Sequence, residues 1–179
     1  MSVDQKVQQH YTHGSLLAAV DESLRALGKD PARLQPGDLA QVDELHIGGH
    51  EATVGFISAC GFTSSMRILD VGSGLGGPAR AFARTTGAHV TGIDLTPEFV
   101  GVAQTLSERV GLTERTSFQQ GSALELPFAA ASFDGAYMIH VGMNIEAKRQ
   151  LFKEVRRVLR AGATFGVYDI MQLAPGALR

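Results

Sequence analysis

The apolar positions of this chain change period as the chain advances. Leu16, Leu17, Val20, Leu24 and Leu27 recur at helical spacing, and Gly28 follows as a stop, which predicts an amphipathic helix. Residues 29–47 carry Pro31, Pro36 and Gly37 and read as a loop; a second helix over about 50–60 ends at Gly61. Met66, Ile68, Leu69 and Val71 then form a short apolar run without helical spacing. Gly72, Gly74, Gly76 and Gly77 follow it, and Pro78 opens a helix-like run through Ala79, Phe82 and Ala83. This reads as buried strand, tight glycine turn and helix. Further on, His89 to Ile93 is a second strand ending at Asp94, and a helix places Phe99, Ala103, Leu106 and Val110 on its buried face. Thr116–Gln120 is a third strand and Phe133–Ile139 a fourth, which ends at His140. Leu151, Phe152, Val155, Val158 and Leu159 mark the next helix, and Thr164 to Ile170 a fifth strand.

Composition narrows the class. The 179 residues are 44% apolar and 19% charged, enough for one domain with a real core. A net charge of −2 supplies no global attraction to nucleic acid or to an acidic membrane. Cys60 is the only cysteine, which forbids an internal disulfide and fits a reducing compartment. The first residues, MSVDQKVQQHYTHG, lack an apolar run, so neither a signal peptide nor a membrane span is expected and the chain reads as cytoplasmic.

The glycine turn is where candidate chemistry begins. Gly72, Gly74 and Gly77 satisfy the dinucleotide pattern GxGxxG, which alone is weak. Pro78 lacks the N–H that a pyrophosphate would want at a helix start. Asp70 would place a carboxylate that repels phosphates and suits a cationic ligand. A ligand with a ribose, an adenine, a sulfonium and an ammonium therefore fits better than a dinucleotide. Asp94 lies 22 residues beyond Gly72, the spacing of an acid that accepts from ribose hydroxyls. Its bland alternative is to cap the helix opening at Thr96-Pro97-Glu98, although Thr96 is better placed to do so.

ILDVGSGLGGPAR resembles the first motif of the class I S-adenosylmethionine (SAM)-dependent methyltransferases. The resemblance continues through VTGIDLTPEFV (90–100), GSALELPFAAASFDGAYMIH (121–140) and LFKEVRRVLRAGATFGVYDI (151–170), about the C-terminal two thirds of the chain. It is strongest to the branch that methylates quinones, sterols, and glycine or its methylated derivatives, and DELHIGGHEAT (43–53) is similar to an entry segment of that branch. The resemblance implies an α/β, Rossmann-like doubly wound sheet of strand order 3-2-1-4-5. It implies an N-terminal helical cap over 1–62 and a SAM-binding core over 63–179. The cofactor, released as S-adenosylhomocysteine, is expected against Asp70, Gly72, Ser73, Gly74, Asp94 and Leu95. Ser122 stands where the family usually has an acid for the adenine amine, so recognition is expected to lean on backbone near Ala123, with Leu124, Leu126 and Phe128 flanking the ring or serving as core.

His140 sits where strand four neighbours strand one, near the transferable methyl, and is the candidate base or cofactor contact; a structural histidine is the alternative. Tyr11 is a second candidate, and His46, Met143 and Asn144 are expected at the acceptor. His46 and His50 are four apart, but Gly48 and Gly49 between them argue against one helix face, so no metal site is expected. The basic run Lys148, Arg149, Lys153, Arg156, Arg157, Arg160 reads as a solvated helix face rather than a nucleic-acid surface. Direct displacement of a methyl onto a small molecule is the first functional reading. An NAD-dependent oxidoreductase and a non-catalytic SAM-binding module are its rivals. The chain stops at Arg179 without the antiparallel strand pair usual in the family, which leads us to expect a fragment that keeps most of the SAM site, self-associates through the fifth strand's edge and has little or no methyl-transfer activity.

Overall fold

The computed structural model describes residues 16–44 and 46–170. Tyr11 and residues 171–179, on which the question of further strands turns, lie outside them. The elements are α1 (Leu16–Ala26), a 3₁₀ turn (Pro36–Leu39), α2 (Gly49–Cys60), β1 (Arg67–Val71), α3 (Gly77–Thr86), β2 (His89–Asp94), α4 (Pro97–Arg109), β3 (Thr116–Gln120), β4 (Phe133–Ile139), a 3₁₀ turn (Gly142–Asn144), α5 (Lys148–Val158) and β5 (Leu159–Tyr168). The five strands form one parallel sheet in the order β3-β2-β1-β4-β5, as expected.

The central strands are apolar because both their faces are covered. Successive side chains point to opposite faces, so β1 sends Ile68 one way and Leu69 and Val71 the other. Ile68, Val90 and Tyr137 pack with Phe82 of α3 and Ile57 of α2. The Phe82 and Tyr137 rings stack at 4.1 Å. Leu69, Val71, Ile93 and Met138 pack with Leu151, Val155 and Val158 of α5. A third cluster joins Val20 and Leu24 of α1 to Val102 and Leu106 of α4. There the Leu16 N–H donates to Glu98 Oε1 at 2.9 Å, fixing the start of α1 over α4.

Three expectations shift. The last helix ends at Val158, and Leu159 already pairs with Phe133 as the first residue of β5. A register break between Phe133 and Gly135 absorbs residues 160–163, and Asp169 and Ile170 lie past the strand. β5 is the sheet's edge among the described residues, and Phe165 and Val167 are partly buried. The basic run is only partly a solvated face. Arg157 donates to the carbonyls of Phe128 and Leu126 and to Glu154, and Lys148 donates to the carbonyls of Gly142 and Ile145. Leu126 and Phe128 belong to the core, Leu126 being 3% exposed and Phe128 set edge-on against Phe133.

The loop before α2 is held by a buried ion pair. Arg80 Nη2 of α3 donates to Asp43 Oδ2 at 2.7 Å and to Leu75 O at 2.6 Å, and Nη1 donates to Ala103 O and Ser107 Oγ, both at 3.1 Å. Burial pushes the Asp43 carboxyl up to about 6 against the opposing pull of Arg80.

Candidate active site

In a doubly wound sheet the ligand crevice lies beyond the carboxyl ends of the strands, where the strand order reverses. Here β1 and β4 are neighbours, with β2 on the other side of β1. A cavity of about 640 Å³ opens at that place. Four of the strands deliver residues to it. Gly72, Ser73 and Gly74 follow β1, Asp94 and Leu95 end β2, Ser122 and Ala123 follow β3, and His140 follows β4.

The turn after β1 is pinned by its neighbour strand, since the N–H groups of Gly72 and Ser73 both donate to Ile93 O, at 2.8 and 3.0 Å. Gly72 and Gly74 have φ of +77° and +51°, a region where a Cβ is strained. Their reasons differ. A Cβ on Gly72 would lie 2.3 Å from Val141 Cγ2, so this glycine serves packing. A Cβ on Gly74 would meet nothing within 4 Å and would project where bare backbone borders the cavity. The Ser73 hydroxyl is buried at this turn with no hydrogen-bond partner.

Asp94 does two local jobs. Oδ2 accepts from Gly74 N–H at 2.8 Å and Oδ1 accepts from Thr96 N–H at 2.9 Å. The first shapes the turn; the second supports the start of α4, where Thr96 holds the N-cap position without a side-chain cap bond. A carboxylate has about four lone-pair sites, so both oxygens keep capacity for a ligand. Burial raises the Asp94 carboxyl above its usual range, and the bonds from Thr96 and Gly74 hold it back.

Asp70 does not reach the cavity wall. It is 2% exposed beneath the turn, and burial pushes its carboxyl up to about 7, with Tyr137 opposing and Asp94 adding to the rise. The Tyr137 hydroxyl is close enough to influence it, yet neither that hydroxyl nor Asp70 Oδ2 has a partner in good geometry.

The far end of the cavity carries His46, His140, Met143 and Asn144. The rings of His46 and His140 stand 5.9 Å apart, and Tyr168 lies 5.5 Å from His140 and 6.2 Å from His46. His140 has φ +54°, and its N–H donates to Tyr168 O at 2.8 Å. A non-glycine residue held there stores strain of about 1–3 kcal/mol, a feature that clusters at functional sites. Burial, then His46, lowers the His140 imidazole below its ordinary value, with Asp169 opposing. Ser122 Oγ accepts from Leu124 N–H at 3.2 Å, which leaves the serine hydroxyl already engaged on one side. No cluster of three or more metal-ligating side chains occurs among the described residues.

Among the wall residues that the sequence reading did not place at the site are Leu16, Asp43 and Phe99. The periodicity of α1 and α4 assigns Leu16 and Phe99 to packing. Only their positions at the first turns of those helices, nearest the strand ends, separate them from core. Asp43 had no local signal, because its partner Arg80 is 37 residues away.

The buried turn hydroxyl, the bare backbone at Gly74 and the Asp94 carboxylate together suit an adenosyl group bearing an amino acid. The family described as "Methyltransferase domain" matches residues 69–167. Sterol 24-C-methyltransferase ERG6B of Gibberella zeae is 41% identical over 109 residues, 61% of this chain and 29% of that protein. The chain matches 27–32% of the length of the curated relatives it resembles. Among solved structures, the Haemonchus contortus phosphoethanolamine N-methyltransferase 2, in complex with SAM, superposes with a TM-score of 0.64 at 27% identity, over 68% of this chain and 28% of that one. The [4+2]-cyclase SpnF superposes with a TM-score of 0.69 at 25% identity, over 92% of this chain and 59% of that one. With the family match spanning more than half of its residues, this chain belongs to the methyltransferase domain family.

Proposed function

We propose that this chain binds SAM in the cavity at the strand ends and supports transfer of its methyl group to a small-molecule acceptor. The observation that carries this is the pairing of Gly74 with Asp94. Bare backbone at φ +51° borders open cavity, and the carboxylate that shapes it retains lone pairs facing the same space. In this reading Gly72, Ser73 and Gly74 cradle the amino-acid portion, with Asp70 beneath them. Asp94 and Leu95 hold the ribose. Ser122, Ala123 and Leu124 border the adenine. His140 contacts the reacting centre, and His46, Met143 and Asn144 border the acceptor. Bound SAM supplies an electrophilic methyl on a sulfonium. The protein's part is alignment and exclusion of water, which a positioned site supplies without a covalent intermediate.

The finer expectations belong to the same proposal. Residues 1–62 act as a cap and 63–179 as the core. The setting is cytoplasmic, nucleic acid is not a partner, and a second copy pairs along the β5 edge. None of the helices in the described residues is long and apolar enough to cross a membrane. Incubation with SAM labelled in the methyl group and a panel of phenols, amines and prenyl or sterol alkenes tests the activity. Label entering an acceptor supports the proposal. Tight SAM binding with no transfer to any acceptor supports the non-catalytic module instead. Sedimentation of the same sample tests pairing: a stable monomer contradicts the β5-edge contact.

A further inference from the structure

The permanent charges on the cavity wall are of one sign. Among the described residues the wall carries the acids Asp43, Asp94 and Glu146, and neither lysine nor arginine. Arg80 and Lys148 bond to wall residues, and both are used in doing so. Arg80 is held in the buried pair with Asp43. The Lys148 ammonium donates to the carbonyls of Gly142 and Ile145, which ties it to the backbone of the turn after β4. Glu146 stands two residues before α5, at the helix end where backbone N–H groups would otherwise favour an anion.

The two imidazoles do not reverse that sign. His46 Nδ1 lies 3.2 Å from Ile47 O and Nε2 lies 3.0 Å from Thr53 Oγ1, so both nitrogens face protein oxygens. Any charge on this ring is matched by Glu44, whose Oε2 is 3.4 Å from Nε2. Burial, then His46, holds the His140 imidazole below its ordinary value against the pull of Asp169, which leaves it neutral at pH 7. The rest of the acceptor end is apolar, with Ile139, Val141, Met143 and Ile145 around His140 and Asn144. The Asn144 amide and the His140 imidazole can each bond an uncharged hydroxyl or amine. An anion seated here would lose water and meet carboxylates, and an unpaired charge is costly to bury.

We infer, on the methyltransferase reading above, that the acceptor is an uncharged, largely apolar molecule with one hydroxyl or amine group at His140 and Asn144, and that the wall excludes acceptors bearing a carboxylate, sulfate or phosphate. The choice is made by the cavity's own residues. A cation placed on the turn after β4 should therefore change it, and Met143 and Asn144 are the exposed positions of that turn where a longer side chain has room.

Calorimetry on the full chain tests this with pairs of one shape that differ in charge: para-isopropylphenol against para-hydroxybenzoate, para-isopropylaniline against para-aminobenzoate, and a hydroxycholane against lithocholate. The chain is first saturated with sinefungin, whose ammonium keeps the positive charge of the sulfonium. The expected result is binding of the uncharged member tighter by about tenfold or more in at least one pair, and of the anion in none. Any other pattern, including no binding by any uncharged member, overturns the inference. Met143→Arg and, independently, Asn144→Lys should move the ratio toward the anion by about tenfold. If one variant fails to melt cooperatively, the other carries the test, and a ratio unmoved in the folded variants overturns the inference. Failure to bind sinefungin counts instead against the methyltransferase reading, and the same pairs titrated into the unliganded chain then report the preference of the wall.

Discussion

Arg80 and Asp43 form a buried ion pair at 2.7 Å, each side chain at most 4% exposed. The pair joins α3, which begins at the glycine turn, to the loop that carries Glu44 and His46. The same contact explains Gly77, whose Cβ would lie 2.6 Å from Asp43 O. Arg80→Ala should therefore do more than remove one bond. It leaves a buried carboxylate unpaired, which costs about 3–5 kcal/mol. Urea unfolding measures this, and a loss below about 1 kcal/mol would mean that the loop is anchored by other contacts.

Asp70 predicts a pH dependence with a definite sign. Its folded carboxyl titrates near 7 because it is buried, well above the ordinary carboxylate value of 3.8. The folded state thus holds a proton that the unfolded state has lost. The contribution to stability is fully present below about pH 4 and is lost as pH rises through about 7, in all about 4 kcal/mol. Asp70→Asn, a neutral isostere, should melt at a higher temperature than the wild type at pH 8 without ligand, and the difference should shrink toward pH 4. Equal melting at both pH values contradicts the assignment. The same variant should bind SAM more weakly, a trade of function against stability.

Asp94→Ala removes a charged acceptor at the end of β2. Losing such a hydrogen bond costs about 1.5–3 kcal/mol, so SAM affinity should fall by roughly tenfold or more. Loss of the bond to Thr96 N–H should also lower stability by about 1 kcal/mol. Calorimetry and melting separate the two effects. Unchanged affinity in a variant of normal fold removes Asp94 from the site.

The two turn glycines should respond differently. Gly74→Val places a side chain in open cavity, so SAM binding should be abolished while the chain still melts cooperatively. Gly72→Val drives a side chain into Val141 and should destabilise the fold itself, by about 1–3 kcal/mol from overpacking alone. Parallel melting and binding curves check the contrast. Equal loss of stability in both variants would contradict it.

The sheet and part of the cavity wall were legible in the sequence because their signals are local. A short apolar run, glycines at φ > 0 and an acid at the end of the next strand all lie within thirty residues. Strand order followed from the resemblance of four motifs, not from periodicity. What escaped depends on long-range contacts. Nothing near Arg157 in the chain announces its bonds to Leu126 and Phe128, and nothing near Asp43 announces Arg80. Phe152 follows helical spacing yet is 46% exposed, because α5 turns it toward Phe165 on the edge strand rather than into the core. Asp70 was expected at the ligand from its place before the first glycine. As the fourth residue of a strand covered on both faces, it lies buried beneath the turn, a depth that its position in the motif does not reveal.

The central claim is that the cavity at the strand ends receives a sulfonium adenosyl cofactor. Calorimetric titration of this chain with SAM and, separately, with NAD at the same concentrations tests it most directly. The account predicts one-to-one binding of SAM, lost in Gly74→Val, and no heat of binding for NAD. Binding of NAD with none of SAM, by a chain that melts cooperatively, would contradict it.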